Sequence, residues 1–195
     1  MARPAKARPL RYAGRAGTEM NSEFRIQNSE FQKLVFVALG SNLGDSRKIF
    51  LDAMVRLQKF SAMPILKSSL WQTSPVNCPP ASPKFLNAVV ALNPFAEETP
   101  ESLLEKLQNL EKEFGRAAKK ILNEPRPLDL DLIAFGTEIR SSPKLILPHP
   151  RAHMRRFVLQ PLNEIAPELI LPGQTQTVAQ LLAELNSDES CEKVF

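Results

Sequence analysis

Apolar positions recur along this chain in two periods, and the switches between them outline its elements. Leu34 to Leu39 (LVFVAL) is a continuous apolar run closed by Gly40-Ser41-Asn42, which predicts a buried strand entering a turn. From Asp45, a natural N-cap, the residues Phe50, Ala53, Met54, Leu57 and Phe60 recur at helical spacing. Ile65 to Gln72 reads as strand, and Phe85 to Leu92 (FLNAVVAL) as a second buried strand. Thr99-Pro100-Glu101 then supplies an N-cap, an N1 proline and an acidic first turn. The stripe of that helix is Leu103, Leu107, Leu110 and Phe114, and Gly115 ends it. Leu128 to Phe135 is the last clear strand, and helical signals return at 152–162 and 178–185.

The resulting order is β-α-β-β-α-β with a C-terminal helical extension. It predicts a ferredoxin-like α+β fold, an antiparallel sheet with helices on one face. Thr73 to Pro83 packs four prolines into eleven residues, and an ordered loop of that kind is uncommon unless it works. Residues 1–33 lack apolar periodicity and are expected to form a disordered basic leader, read as a bland extension rather than a transit peptide. One compact domain is expected over 34–187, with a tail over 188–195.

Composition narrows the function classes. The chain has 195 residues and is 43% hydrophobic, enough for a full core. Its net charge of +4 does not announce an acidic partner, because Arg3, Lys6, Arg8, Arg11 and Arg15 all precede the first acid, Glu19. Without that leader the remainder is close to neutral. Cys78 and Cys191 form no CxxC pair, so neither a disulfide scaffold nor a zinc site is expected, and a cytoplasmic location fits. No apolar run approaches the roughly 20 residues that span a bilayer, so no membrane association is expected.

The most informative stretch is Pro125-Arg126-Pro127-Leu128-Asp129-Leu130-Asp131-Leu132-Ile133. Residues two apart on a strand share a face, so Asp129 and Asp131 project together while Leu128, Leu130 and Leu132 point away. Aspartate is depleted in strands, and two on neighbouring same-face positions repel unless a cation sits between them. Magnesium, which takes carboxylate and phosphate oxygens, is the obvious one. A second cluster, Leu147-Pro148-His149-Pro150-Arg151 followed by Arg155-Arg156-Phe157, carries guanidinium forks suited to phosphate oxygens. Gly40-Ser41-Asn42-Leu43-Gly44 is a glycine-flanked turn, neither a P-loop nor a GxGxxG fingerprint.

Together these segments resemble the 6-hydroxymethyl-7,8-dihydropterin pyrophosphokinase family. The likeness runs from about Leu34 to Leu171, through VALGSNLGD, PKFLNAVV, EKEFGR, PRPLDLDLI and LPHPRAHMRRFVLQPLNEIAPEL. The resemblance implies transfer of pyrophosphate from ATP to 6-hydroxymethyl-7,8-dihydropterin in folate biosynthesis, with two Mg2+ ions held by Asp129 and Asp131. It implies nucleotide and phosphate contacts at Arg126, His149 and Arg155, at Gln108 and Glu111 on the second helix, and at Lys119 and Lys144. For the pterin it implies Thr73, Val76 and Asn87, with Phe85 and Phe157 as the aromatic positions. A monomer is expected. Two positions depart from the pattern: Asn123-Glu124-Pro125-Arg126 stands where the family commonly has Trp-Gly-Pro-Arg, and Ala118 where a basic residue is common. A lid over the substrate is therefore expected to close less tightly.

Two rival classes were weighed. A ferredoxin-like RNA-recognition domain would want exposed aromatics in an RNP-type pattern, which is absent, so no nucleic-acid partner is expected. A pseudo-enzyme or another metal-dependent nucleotide transferase shares the fold, and the release of AMP rather than ADP would separate it.

Overall fold

The computed structural model describes residues 28–75, 78, 82–116 and 124–194. Its centre is strand β1 (Val35–Ser41), whose apolar run is buried on both sides. Strand β4 (Phe85–Leu92) pairs with one edge of β1 and β5 (Asp129–Phe135) with the other, both antiparallel. Beyond β4 lie β2 (Leu66–Lys67) and β3 (Trp71–Thr73), and beyond β3 lies β8 (Cys191–Lys193). The order β5-β1-β4-β3 is that of a split βαβ sheet. A separate hairpin, β6 (Arg140–Ser141) with β7 (Ile146–Leu147), follows β5.

Alternation along β1 divides the interior in two. Val35, Val37 and Leu39 face one side, where helices α2 (Ser46–Leu57) and α3 (Pro100–Glu113) bury Phe50, Ala53, Leu57, Leu103, Leu107 and Leu110. Both helices start as their sequences predict. Asp45 accepts from the Lys48 N–H at 3.0 Å, and Thr99 and Ser102 cap one another reciprocally. Phe36 and Ala38 face the opposite side, which the C-terminal extension covers with α4 (Arg156–Ile165) and α5 (Val178–Glu184). A 3-10 turn at Ala152–Met154 precedes α4 in place of a single helix over 152–162.

The strand expected over residues 65–72 is divided into β2 and β3. At the break, Ser68 substitutes for a regular pairing: its N–H donates to the Val89 carbonyl at 2.9 Å, and its hydroxyl accepts from the Val89 N–H at 3.0 Å.

Both ends of the expected domain move outward. Residues 28–33, assigned to the leader, belong to the packed body. Helix α1 (Asn28–Phe31) carries Phe31, which is 2% exposed with its ring centroid 6.3 Å from that of Phe36. Gly136, at φ +54°, lies so close that a Cβ there would come 2.7 Å from the Gln32 carbonyl oxygen. At the other end, residues assigned to the tail form β8. The leader upstream of residue 28 lies outside the described residues.

Phe31→Ala should lower unfolding free energy by about 3 kcal/mol or more, the usual cost of emptying a buried aromatic site. Lys33→Ala, on an exposed side chain, should stay within about 0.5 kcal/mol. Urea midpoints of the two variants check the pair, and equal midpoints would return Phe31 to the leader.

Candidate active site

Strand β5 carries Asp129 and Asp131 on one face while Leu130 and Leu132 enter the α2–α3 core, as the alternation predicts. Asp129 lies opposite Gly40 and Asp131 opposite Ala38 on β1. The strand ends the sheet, so its outward N–H groups need partners from elsewhere. Glu111, buried on α3, takes that of Leu130 at 2.7 Å.

Arginines gather over the carboxylates. Arg116 reaches Asp129 at 2.7 Å and also pairs with Glu111, while Arg126 reaches Asp129 at 3.2 Å. Arg155 stands 3.9 Å from Asp131. Burial, and then the neighbouring Asp129, push the Asp131 carboxyl above its ordinary pKa. Burial pulls the His149 imidazole below its ordinary value. Its Nδ1 accepts the Arg151 N–H at 3.2 Å, so the neutral ring carries its proton on Nε2. The Gly40–Gly44 turn has a task here: Asn42 Oδ1 accepts the Arg126 N–H at 2.9 Å, and the Asn42 N–H donates to the Arg126 carbonyl at 3.2 Å. Arg126 Nε is buried with no hydrogen-bond partner among the described residues, a donor suited to an incoming oxyanion.

Across Gly40 from Asp129 lies Asn87 on β4. Its Nδ2 donates to Thr73 Oγ1 at 2.8 Å, both groups being buried, which leaves Oδ1 as an acceptor. A Cβ at position 40 would lie 3.5 Å from that oxygen, so glycine keeps this gap open. Phe85 and Phe157 flank the same space, and the Arg155 guanidinium stacks 5.2 Å from the Phe157 ring centroid.

One cavity of about 380 Å³ thus joins Thr73, Phe85, Asn87 and Phe157 to Arg126, Asp129, Asp131, His149 and Arg155. A second, of about 270 Å³, is lined by Leu104, Leu132, Lys144 and Ile146 and shares Asp131 and His149 with the first. Among the expected site residues, Lys144 therefore belongs to the second cavity. Gln108 is exposed and lines neither, and Glu111 acts from beneath the carboxylates. Val76 and Lys119 lie outside the described residues. Arg151, part of the second basic cluster, lines the first cavity, as do Arg116 and Glu189, which the sequence reading does not name as site residues. Arg116 stands inside the motif EKEFGR, whereas nothing in the sequence marks Glu189.

Residues 36–167 match the model of the 7,8-dihydro-6-hydroxymethylpterin-pyrophosphokinase family. A 2-amino-4-hydroxy-6-hydroxymethyldihydropteridine pyrophosphokinase of Pseudomonas aeruginosa is 40% identical over 141 residues, covering 71% of this chain and 83% of that protein. Its namesake from Bacillus subtilis is 38% identical over 141 residues, covering 70% and 80%. The folic acid synthesis protein fol1 of Pneumocystis carinii is 35% identical over 189 residues, 92% of this chain, but the chain spans only 25% of its length. It likewise spans 28% of the folate synthesis bifunctional protein of Arabidopsis thaliana. In fold, the chain is similar to crystalline wild-type HPPK-DHPS of Plasmodium falciparum with pteroate, with a TM-score of 0.61 and 14% identity over 77% of this chain and 44% of that one.

Burial raises the Glu111 carboxyl to about 7, against the pull of the Leu130 N–H and Arg116. The folded state therefore binds more protons than the unfolded chain between roughly pH 4.5 and 7. Stability from this group is complete below that window and should fall by up to about 3 kcal/mol as pH rises through it. Urea unfolding at pH 5 and pH 7.5 should show this fall in the wild type and a smaller one in Glu111→Gln. Identical slopes would show that Glu111 is not the group responsible.

Proposed function

Because the chain belongs to the 7,8-dihydro-6-hydroxymethylpterin-pyrophosphokinase family, we propose that it transfers pyrophosphate from ATP to 6-hydroxymethyl-7,8-dihydropterin, giving AMP and the pterin diphosphate for folate synthesis. One observation carries this reading. A polar notch between two phenylalanines and an arginine-ringed carboxylate pair open into a single cavity, separated only by Gly40. The notch suits a flat, hydrogen-bonding bicycle and the ring of arginines a polyphosphate.

The donor set fits magnesium. Two carboxylate oxygens project to one side of β5, and among the described residues no group of three or more His, Cys, Asp or Glu could hold a metal alone. A cation held there would take its remaining ligands from phosphate oxygens and water, the habit of magnesium. Two Mg2+ ions held by Asp129 and Asp131 would neutralise and orient the triphosphate.

In this reading the adenosine occupies the second cavity beside Leu132, Lys144 and Ile146. The chain of phosphates passes Asp131 and His149 into the first. His149 Nε2–H and the unpaired Arg126 Nε–H donate to phosphate oxygens. Arg116, Arg126 and Arg155, which lean on the carboxylates, transfer part of their hydrogen bonding to the polyphosphate once a cation shares the carboxylate charge. Asn87, Thr73 and Phe157 hold the pterin so that its hydroxymethyl oxygen attacks the β-phosphorus in line, forming the new P–O bond as the bond to AMP breaks. No side chain is needed as a nucleophile. Among the described residues no helix is long and apolar enough to cross a membrane. A cytoplasmic monomer is part of this proposal.

Asp129→Asn and Asp131→Asn should each lower AMP formation by about a hundredfold or more, the scale on which preorganised charge stabilisation operates. The melting temperature of Asp131→Asn should hold or rise, since it relieves a buried like-charge contact, whereas Asp129→Asn also loses its pairs with Arg116 and Arg126 and should fall below it. Near-wild-type AMP production by both variants, with ATP and dihydropterin in excess, would remove the central claim.

Phe157→Ala should weaken dihydropterin binding by about two- to tenfold beyond its effect on ATP, the range of an aromatic stack. Calorimetric titration with each substrate reads the difference. A large drop in melting temperature with both affinities unchanged would make the ring plain core.

A further inference from the structure

Helix α4 begins against its own electrostatics. Its N-cap is Arg155 and its first residue Arg156, two cations at the positive end of the helix dipole, and no side chain of the N-cap residue caps the first turn. The missing acceptor comes from elsewhere in the chain. Glu189 Oε2 accepts the Phe157 N–H at 3.3 Å and places its charge beside Arg155.

The segment that carries Glu189 is firmly built in. Ser190 N–H donates to Ser74 Oγ at 3.2 Å, and Ser74 N–H to the Ser190 carbonyl at 3.3 Å. Cys191 then pairs with Thr73 and Lys193 with Trp71. Arg156 turns away from the cavity to the Leu185 carbonyl, 3.2 Å distant. On α4 itself Glu164 accepts from the Ser69 N–H and hydroxyl, the Trp71 indole N–H and the Lys193 ammonium, so that α4, β3 and β8 form one block. Thr73 on that block contacts Asn87, and Glu189 lines the cavity.

We propose that the turn before β8 is a wall of the pterin half of the cavity, and that its Glu189 is the positioning residue that fixes Phe157 there and so sets dihydropterin affinity. The inference rests on the reaction proposed above and adds to it an element that lies outside every motif of the sequence. Glu189 acts through the start of α4: without its carboxylate the Phe157 N–H loses its acceptor, while Arg155 keeps the charges of Asp131 and Asp129 beside it. The Phe157 ring then samples more than one position over the notch. The second cavity is untouched, because no residue of β8 lines it.

The test uses the full chain, with 6-hydroxymethyl-7,8-dihydropterin and magnesium-ATP as substrates and AMP as the product. Glu189→Ala should raise KM for the dihydropterin about tenfold, the worth of a hydrogen bond to a charged group, while KM for magnesium-ATP stays within about twofold. Glu189→Gln, which keeps an acceptor but no charge, should fall between, and Glu189→Asp should recover part of the loss. A purely structural role would instead reduce the active fraction, lowering kcat with both KM values unchanged, and that result overturns the proposal. A rise confined to the KM for magnesium-ATP overturns it too. If Glu189→Ala does not fold, Glu189→Gln decides alone, and an unchanged dihydropterin KM sinks the idea. Wild-type protein that forms no AMP would remove the reaction and this inference together, whereas wild-type turnover with insensitive variants removes only the role of Glu189.

Discussion

Two like charges held on neighbouring same-face positions of one strand set the terms for everything around them. Neither Asp129 nor Asp131 can move away, because β5 is pinned to β1 through residues on either side. Their repulsion must be answered by cations. Arg116 and Arg126 answer it at Asp129, and Arg155 answers it less closely at Asp131, whose carboxyl stays above its ordinary pKa. The answer is incomplete at Asp131, where the guanidinium of Arg155 stands 3.9 Å away. Glu111 adds a third carboxyl beneath the pair, and burial moves it toward its neutral form, which limits the negative charge the arginines must meet.

The two faces of the sheet divide the work. On one, α2 and α3 fill the space with leucines and Phe50, and the buried Glu111 of α3 accepts from the Leu130 N–H at its border. On the other, the cavity is lined by Ala38, Gly40 and Asn87 from the strands and by Arg155 and Phe157 from the start of α4. An arginine-rich helix start is poor design for stability and good design for a site that receives phosphate. A residue outside the ferredoxin-like core makes it tolerable: Glu189 accepts the Phe157 N–H in the first turn.

What the sequence revealed depended on whether a residue acts through a repeating pattern. Asp45 and Thr99 cap helices from fixed offsets, and Asp129 and Asp131 share a face because strands alternate, so these were legible. Phe31 was not, since a single aromatic among polar neighbours has no period and its burial depends on Phe36 and the chain after β5. Strand β8 was missed for a related reason: Cys-Glu-Lys has no apolar alternation, and backbone hydrogen bonds to β3 hold it. For Glu111 the resemblance implies a place near the nucleotide but gives no depth for the side chain. It lies inside, serving Leu130 and Arg116. Arg116 was hidden in plain view, its side chain directed by a fold that the motif alone does not describe.

Asn87, Gly40 and Asp129 stand in one row across three strands. Hydrogen bonding fixes neighbouring strands about 4.8 Å apart, so the polar notch at Asn87 and the carboxylate pair are separated by two such steps, on the order of 10 Å. Loops and side chains can alter how tightly either end grips, but neither can lengthen that row. The sheet is a ruler, and its divisions are backbone. A relative that handled a shorter or longer phosphate chain would have to change which strands carry its site rather than which residues occupy them.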